Sequence, residues 1–404
     1  MFSAFFPSIK VIAFALVLVL ITSSAYGMEW YWNPEIKVYK EYDDNPTFSS
    51  DSKEAVLAEK IESTITTGLR REMKEARLSV GFQDRSYDKN IKSDQEDLIA
   101  NLVLDQRFQR SVLALETSYS DKKSLSSELE DIGLSRGDVK KNSLSVTPSW
   151  NYQLSDSSLV EIRFSDLDVD YESEDGSFSG YSYKSYNLIW QKQIASRWTF
   201  FTDLSHQDYS AKDILSDSKT NGLTFGANWS ISNTWDADIT AGYRISDSEY
   251  ETAVQITPQI TANIITDQKS RGNLFNISTQ KEFVNSNVDL DLSKTLVPDP
   301  FGFLNDRDEL KLTYTRNHNA RVRSKLSYRY YETKAVQNNQ TLLTAQDREY
   351  QSFNASLSWK LSNSWSLVSR VTVSEQQYVG RDAAMSTQVS FGILYRGLKR
   401  STSF

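Results

Sequence analysis

From Ile36 to Tyr395 apolar and aromatic side chains recur at every second position, with polar or charged residues filling the gaps. The clearest runs are Leu144-Val146-Pro148-Trp150-Tyr152, Leu223-Phe225-Ala227-Trp229, Trp235-Ala237-Ile239-Ala241-Tyr243-Ile245, Phe353-Ala355-Leu357-Trp359-Leu361 and Thr387-Val389-Phe391-Ile393-Tyr395. A period of two is that of a strand with one oily and one wet face. Helical spacing is scarce, so the chain reads as all-β.

The connections alternate in length. Short polar turns are expected near 70–74, 108–110, 155–157, 195–197, 232–234, 283–286, 317–320 and 362–364. Long polar loops are expected near 43–59, 85–95, 120–141, 172–180, 210–217, 248–269, 297–306, 333–348 and 379–383. Eight turns and nine loops separate about 18 strands, within a range of about 16 to 20 that reflects the softness of strand boundaries. Segment 252–269 prolongs the alternation and reads either as a tall hairpin or as a constriction folded into a lumen. Tryptophans recur beside the short turns: Trp150, Trp190, Trp198, Trp229, Trp235, Trp359 and Trp365. Indoles gathered at one level form an aromatic girdle where a headgroup layer meets hydrocarbon. A soluble β-sandwich also alternates, but tryptophans placed at turns would leave its core poor. An open sheet in lipid would strand its edge amides, so the expected fold is a transmembrane antiparallel up-and-down β-barrel. An even strand count puts both chain ends on the short-turn, periplasmic side, with the long loops extracellular.

Composition agrees with a barrel and excludes other classes. Nine Trp, 21 Tyr and 19 Phe in a chain of mean hydropathy −0.50 are the reverse of a disordered signature. The apolar stretch at 11–21 is too short for a spanning helix. With Lys10 before it and Ala25-Tyr26-Gly27 after, it reads as a signal peptide over 1–27, leaving the barrel over 28–404. Cleavage changes the formal charge from −8 to about −9. No cysteine is present, so an exported chain of this kind gets no disulfide support. Ser390-x-Gly392-x-x-Tyr395 with the terminal Phe404 resembles the assembly signal of outer-membrane barrels, although residues 396–403 intervene. That resemblance implies the outer membrane of a Gram-negative bacterium, contact with its lipid and lipopolysaccharide, and handling by the barrel-assembly machinery.

Candidate chemistry is sparse. His206 and His318 are the only histidines, and neither joins a nucleophile and an orienting partner in a recognisable constellation, so no enzyme is expected. Asp166-Leu167-Asp168-Val169-Asp170 and Tyr42-Asp43-Asp44-Asn45 are oxygen-rich but lack a calcium-loop spacing, and no metal or cofactor is assigned. Parity is more informative. Lys311, Arg321, Arg323, Lys325, Arg329, Lys360 and Arg370 alternate with apolar residues, and cations facing lipid at midplane would cost ~2–4 kcal/mol each, so they should face a lumen. Asp203, Asp236, Asp238, Asp289 and Asp291 take the inward parity on neighbouring strands. A basic arc beside an acidic arc reads either as a charged pore wall or as a salt-bridge network that plugs the barrel.

The opening of the mature chain, Trp30-Tyr31-Trp32, then Pro34-x-Ile36-x-Val38 and Tyr42-x-Asp44-Asn45, resembles the first strand of outer-membrane barrels associated with bacterial exopolysaccharide gene clusters. The body from 69 to 396 is similar to that family only in architecture. The resemblance implies a channel for exopolysaccharide export, working with periplasmic and inner-membrane export components. The alternative is a general or substrate-selective diffusion porin, and a third reading is a closed structural or adhesive barrel.

Overall fold

A computed structural model describes residues 29–50, 53–89, 94–123, 139–172, 178–257, 260–298, 304–335, 347–397 and 400–403. The expected signal peptide and Phe404 lie outside these residues. Eighteen long strands follow one another: β1 (Glu29–Asp43), β2 (Val56–Arg71), β3 (Lys74–Tyr87), β4 (Gln95–Arg107), β5 (Ser111–Lys123), β6 (Lys140–Ser155), β7 (Ser158–Glu172), β8 (Tyr181–Ala195), β9 (Trp198–Ala211), β10 (Ser216–Ser232), β11 (Trp235–Thr257), β12 (Ile260–Glu282), β13 (Ser286–Pro298), β14 (Leu304–Asn317), β15 (Val322–Ala335), β16 (Arg348–Lys360), β17 (Trp365–Tyr378) and β18 (Ala384–Arg396). A short β19 (Arg400–Ser403) continues β18 and pairs with the start of β1.

Each long strand pairs antiparallel with the next, and β18 returns to β1 from Glu35↔Arg396 to Asp43↔Gln388. The sheet is therefore closed, which removes the unpaired edge that lipid would punish. All eight short turns fall where the alternation places them. Segment 252–269 belongs to the tallest hairpin: β11 and β12 each run 23 residues and stay paired up to Thr257↔Ile260. It is a projecting hairpin, not a lumen loop.

Closure sits on a close approach. Gly392 of β18 faces inward beside Tyr39 of β1, and a Cβ there would collide with the Val38 carbonyl oxygen and the Tyr39 ring. Any larger residue would push the ring off the closing seam. Tyr395, three positions on, faces outward and packs its ring 4.9 Å from Trp365.

The outer face carries the exposed large apolar side chains, among them Ile65, Val80, Leu188, Leu204, Phe225, Leu357 and Val389. This inverts the pattern of a water-soluble protein and defines a lipid-facing belt. At its short-turn margin the indoles find polar anchors: Trp190 Nε1 donates to Ser158 Oγ (3.0 Å), Trp235 Nε1 to Thr279 Oγ1 (2.9 Å), and Trp198 stacks on Trp229 at 4.7 Å. Trp30, donating to Thr67 Oγ1 at 3.0 Å, joins this row. A closed barrel with such a belt sits in the outer membrane of a Gram-negative bacterium.

Beyond the long-loop margin of the belt, the outer face of β7–β12 carries a row in which charges alternate strand by strand. Asp166 lies opposite Lys184, Lys184 opposite Asp208, Asp208 opposite Lys219, Lys219 opposite Asp247 and Asp247 opposite Lys269. Opposite charges at directly paired positions support a sheet, so this part of the wall is braced where lipid no longer covers it.

Candidate functional site: the barrel lumen

The inner face divides into zones with different charge logic. On β13–β17 the register sends Lys311, Arg323, Lys325, Arg329, Lys360 and Arg370 inward: Lys311 is paired with Arg329, Lys325 with Ser356, and Ser356 with Arg370. Arg321 stands apart, in the turn before β15, where its carbonyl accepts the Lys360 amide at 2.7 Å; it is a rim residue and not part of the wall. Asp203 of β9, Asp236 and Asp238 of β11, and Asp289 and Asp291 of β13 share the inward face of the neighbouring strands. The two arcs meet where Asp291 lies opposite Lys311.

These arcs do not neutralise each other. The carboxylates take hydrogen bonds from neutral groups: Asn187 on Asp203 (3.3 Å), Ser278 on Asp291 (2.6 Å) and Asn287 on Asp289 (2.9 Å). In the basic arc Arg329 pairs with Glu309 at 2.7 Å, while among the described residues no carboxylate lies within ion-pair distance of Lys311, Arg323, Lys325, Lys360 or Arg370. Lys311, Arg323, Lys325, Lys360 and Arg370 are exposed to the lumen water. All lie toward the short-turn half of their strands.

The wall of β1–β3 is built the other way. Lys37 Nζ contacts Glu35 and Glu62 at 3.2 Å each, Lys60 contacts Glu62 at 2.6 Å, Arg85 contacts Glu41 at 3.2 Å and Arg396 of β18 contacts Glu35 at 2.9 Å. Here a salt-bridged network is present, but it lies along one wall and does not span the lumen.

What does cross the lumen is the tip of the β13–β14 hairpin. Leu304, at the start of β14, is 4% exposed because it packs on Val169, Tyr181 and Tyr209 of β7–β9 on the far side. Asp306 reaches Arg244 of β11 at 2.6 Å, and Arg244 passes over Gly272 of β12 to get there, where a Cβ would come 2.8 Å from its Cζ. The ladder permits this lean. β12 and β13 are paired only from Phe275↔Lys294 to Glu282↔Asn287, whereas β13 and β14 stay together up to Pro298↔Leu304. Above Phe275 the two hairpins part, and the β13–β14 tip tucks inside the β11–β12 wall. A second crossing contact joins Phe178, before β8, to Tyr378 of β17. Neither crossing was legible in the alternation; only Gly272, an inward glycine facing Arg244, hints at one.

Two cavities line the lumen wall among the described residues. One of about 310 Å3 lies against β7–β12, touching Glu161, Arg163, Asp238 and Ser278. The other, about 390 Å3, lies toward the long-loop half between β2–β5 and β16–β18, beneath the loop that carries Pro46 and Phe48.

Neither histidine forms a reaction centre. His206 faces outward, with Nδ1 2.8 Å from Asn221 Oδ1 and Nε2 3.3 Å from Asp208, and His318 sits in the β14–β15 turn with Nε2 2.8 Å from Ser324 Oγ. In the Asp166–Asp170 run the ammonium of Lys212 lies 2.8 Å from Asp168 and 2.6 Å from Asp170, the place a cation would take. The Tyr42-x-Asp44-Asn45 segment closes the barrel. Asn45, fully buried, donates to the carbonyls of Ser49 and Met385 (2.9 Å each), while Asp43 and Asp44 accept from Ser386 and the Thr387 amide.

No family model and no curated protein matches the chain. Among solved structures it is similar to OccAB4 of Acinetobacter baumannii (10% identity, 94% of this chain and 100% of that one, TM-score 0.47). It is also similar to the outer membrane protein OpdK of Pseudomonas aeruginosa (10%, 91% and 99%, 0.44) and to the ferric-catecholate import receptor Fiu of E. coli K12 (8%, 90% and 81%, 0.44). All three fall below a TM-score of 0.5, so the fold rests on the closed ladder itself.

Proposed function

We propose that this barrel is a substrate-selective diffusion channel for small polar solutes across the outer membrane. The observation that carries the reading is the adjoining acidic and basic arcs in the short-turn half of the lumen, where Lys311, Arg323, Lys325, Lys360 and Arg370 are exposed with no carboxylate in ion-pair distance among the described residues. Charges of opposite sign left unpaired on adjoining stretches of the inner wall select and orient what passes them. The crossing β13–β14 tip narrows the other half, which suits a small solute better than a polymer. An exporter of exopolysaccharide finds less support, because Asp44 and Asn45 of the opening motif are accounted for by barrel closure.

Single-channel conductance of the refolded protein in a planar bilayer, with the reversal potential in a salt gradient, tests the reading. The expected result is a small, steady conductance whose ion preference moves toward cations when Arg323, Lys325 and Arg370 become Gln. Absence of conductance from a folded, heat-modifiable barrel, both as wild type and with Leu304→Ala, overturns it.

A further inference from the structure

The 390 Å3 cavity is built differently from the arcs below it. Its lining holds three cations, Lys60, Arg85 and Lys122, and three carboxylates, Asp43, Glu62 and Asp97, so its formal charge is zero. The carboxylates are already engaged: Glu62 with Lys60 and Lys37, Asp97 with the Gln83 amide (3.2 Å) and the Lys123 backbone, Asp43 with Ser386. A ligand of net charge would compete with the Lys60–Glu62 and Arg85–Glu41 pairs at a desolvation cost. A neutral ligand with many hydroxyls would add to them, because carboxylates, amides and the hydroxyls of Thr64, Thr372 and Ser374 all retain lone pairs or protons to share.

Two rings give the cavity apolar faces. Tyr350 is fixed by stacking on Tyr331 (5.0 Å) and by donating to Ser374 Oγ (3.2 Å). Phe48 comes from the β1–β2 loop and, among the described residues, is the one non-glycine residue at positive φ, +49°. A strained backbone persists where its surroundings impose it. Here they are visible: the Phe48 amide bonds the Asn45 carbonyl (3.1 Å), and the buried Asn45 side chain ties Ser49 and Met385. The strain is held so that an aromatic ring lines a polar cavity. The volume falls in the range of sites for small molecules.

We propose that this cavity is a binding site for a neutral polyhydroxylated solute of monosaccharide size, with the Phe48 ring against the C–H face of the solute and the ion-paired polar wall bonding its hydroxyls. This rests on the channel reading for its biological use, though not for its existence.

Equilibrium dialysis of the refolded, detergent-solubilised barrel against radiolabelled D-glucose, with gluconate and glycine betaine as comparators, tests it alongside the conductance measurement. Phe48→Gly is the informative variant, because glycine accepts the left-handed backbone and removes only the ring. Saturable glucose binding, about fivefold weaker in Phe48→Gly and absent for gluconate and glycine betaine, supports the site; the fold-change corresponds to one lost ring contact. Tighter binding of gluconate overturns the neutral class, and tighter binding of glycine betaine, which has no hydroxyl, overturns the polyhydroxylated one. A conducting barrel that binds no glucose overturns the site and leaves the channel. A barrel that binds glucose without conducting keeps the site and overturns the channel.

Discussion

The β1–β3 wall and the β9–β17 wall follow the same alternation of apolar and polar residues, yet they treat charge in opposite ways. On β1–β3 Glu35, Glu41 and Glu62 each hold a cation within two strands, as Glu62 does in Lys37 and Lys60. On β9–β17 the carboxylates come first and the cations later, and only Arg329 of the basic arc holds a carboxylate, Glu309. Intermixed charges cancel within one or two strand spacings and stiffen the wall. Segregated charges cannot cancel locally, so their field extends into the lumen, where water screens it less than in bulk. The order of charges along the chain thus separates a wall that supports from a wall that selects.

The largest effect should come from releasing the β13–β14 tip that packs on β7–β9 and holds Arg244 of β11. Leu304→Ala with Asp306→Asn leaves the buried Arg244 without its counter-charge, a loss on the order of 3–5 kcal/mol to the latched position. Conductance should then rise about twofold or more in the bilayer; an unchanged value would mean that the tip does not limit flow. Next in size is the selectivity contrast. Asp236→Asn, Asp238→Asn and Asp291→Asn together should move the reversal potential toward anions, opposite in sign to neutralising the basic arc, while Lys37→Gln with Lys60→Gln should barely move it. Equal shifts from the two walls would erase the distinction drawn above.

Smaller still, Glu62→Gln removes the carboxylate shared by Lys37 and Lys60 and should cost ~1–2 kcal/mol. A lower denaturant midpoint with unaltered selectivity is the expected signature. The smallest effect lies outside the membrane. Burial opposes the charge of Lys212, but hydrogen bonds to Asp168 and Asp170 outweigh it and hold its pKa above the usual lysine value. That contribution is whole below the unfolded lysine pKa and fades as pH climbs through the higher folded value. Lys212→Gln should cost under ~1 kcal/mol near neutrality, read as faster proteolysis of the β9–β10 loop, and the difference from wild type should shrink at strongly alkaline pH.

Much of the barrel was legible because its rules are local. Alternation fixed which face each residue of β10 or β18 presents, and the polar turns at 155–157 and 232–234 fixed where strands reverse. The same parity placed Asp238 and Lys325 inside. Arg321 was misplaced because parity holds only within a strand, and it lies one residue before β15 begins. Segment 252–269 allowed two readings, since a tall hairpin and a folded-in loop share one alternating pattern. The contacts of Leu304 with Tyr209, of Asp306 with Arg244 and of Phe178 with Tyr378 join residues far apart in sequence across an enclosed space. No periodicity encodes them. The cavity under Phe48 was hidden for the same reason, because its lining comes from strands at both ends of the chain.

The alternating row from Asp166 to Lys269 bears on how the chain finds its pairing during assembly. Sliding one strand past another by two residues keeps every oily side chain facing lipid, so the apolar belt cannot detect the error. The charges can. Such a slip would set Asp208 of β9 against Asp217 of β10, or Asp247 of β11 against Asp267 of β12, replacing attraction by repulsion at a directly opposed pair. At β9–β10 and β11–β12 one direction of slip is thereby penalised by side chains that never touch the membrane interior.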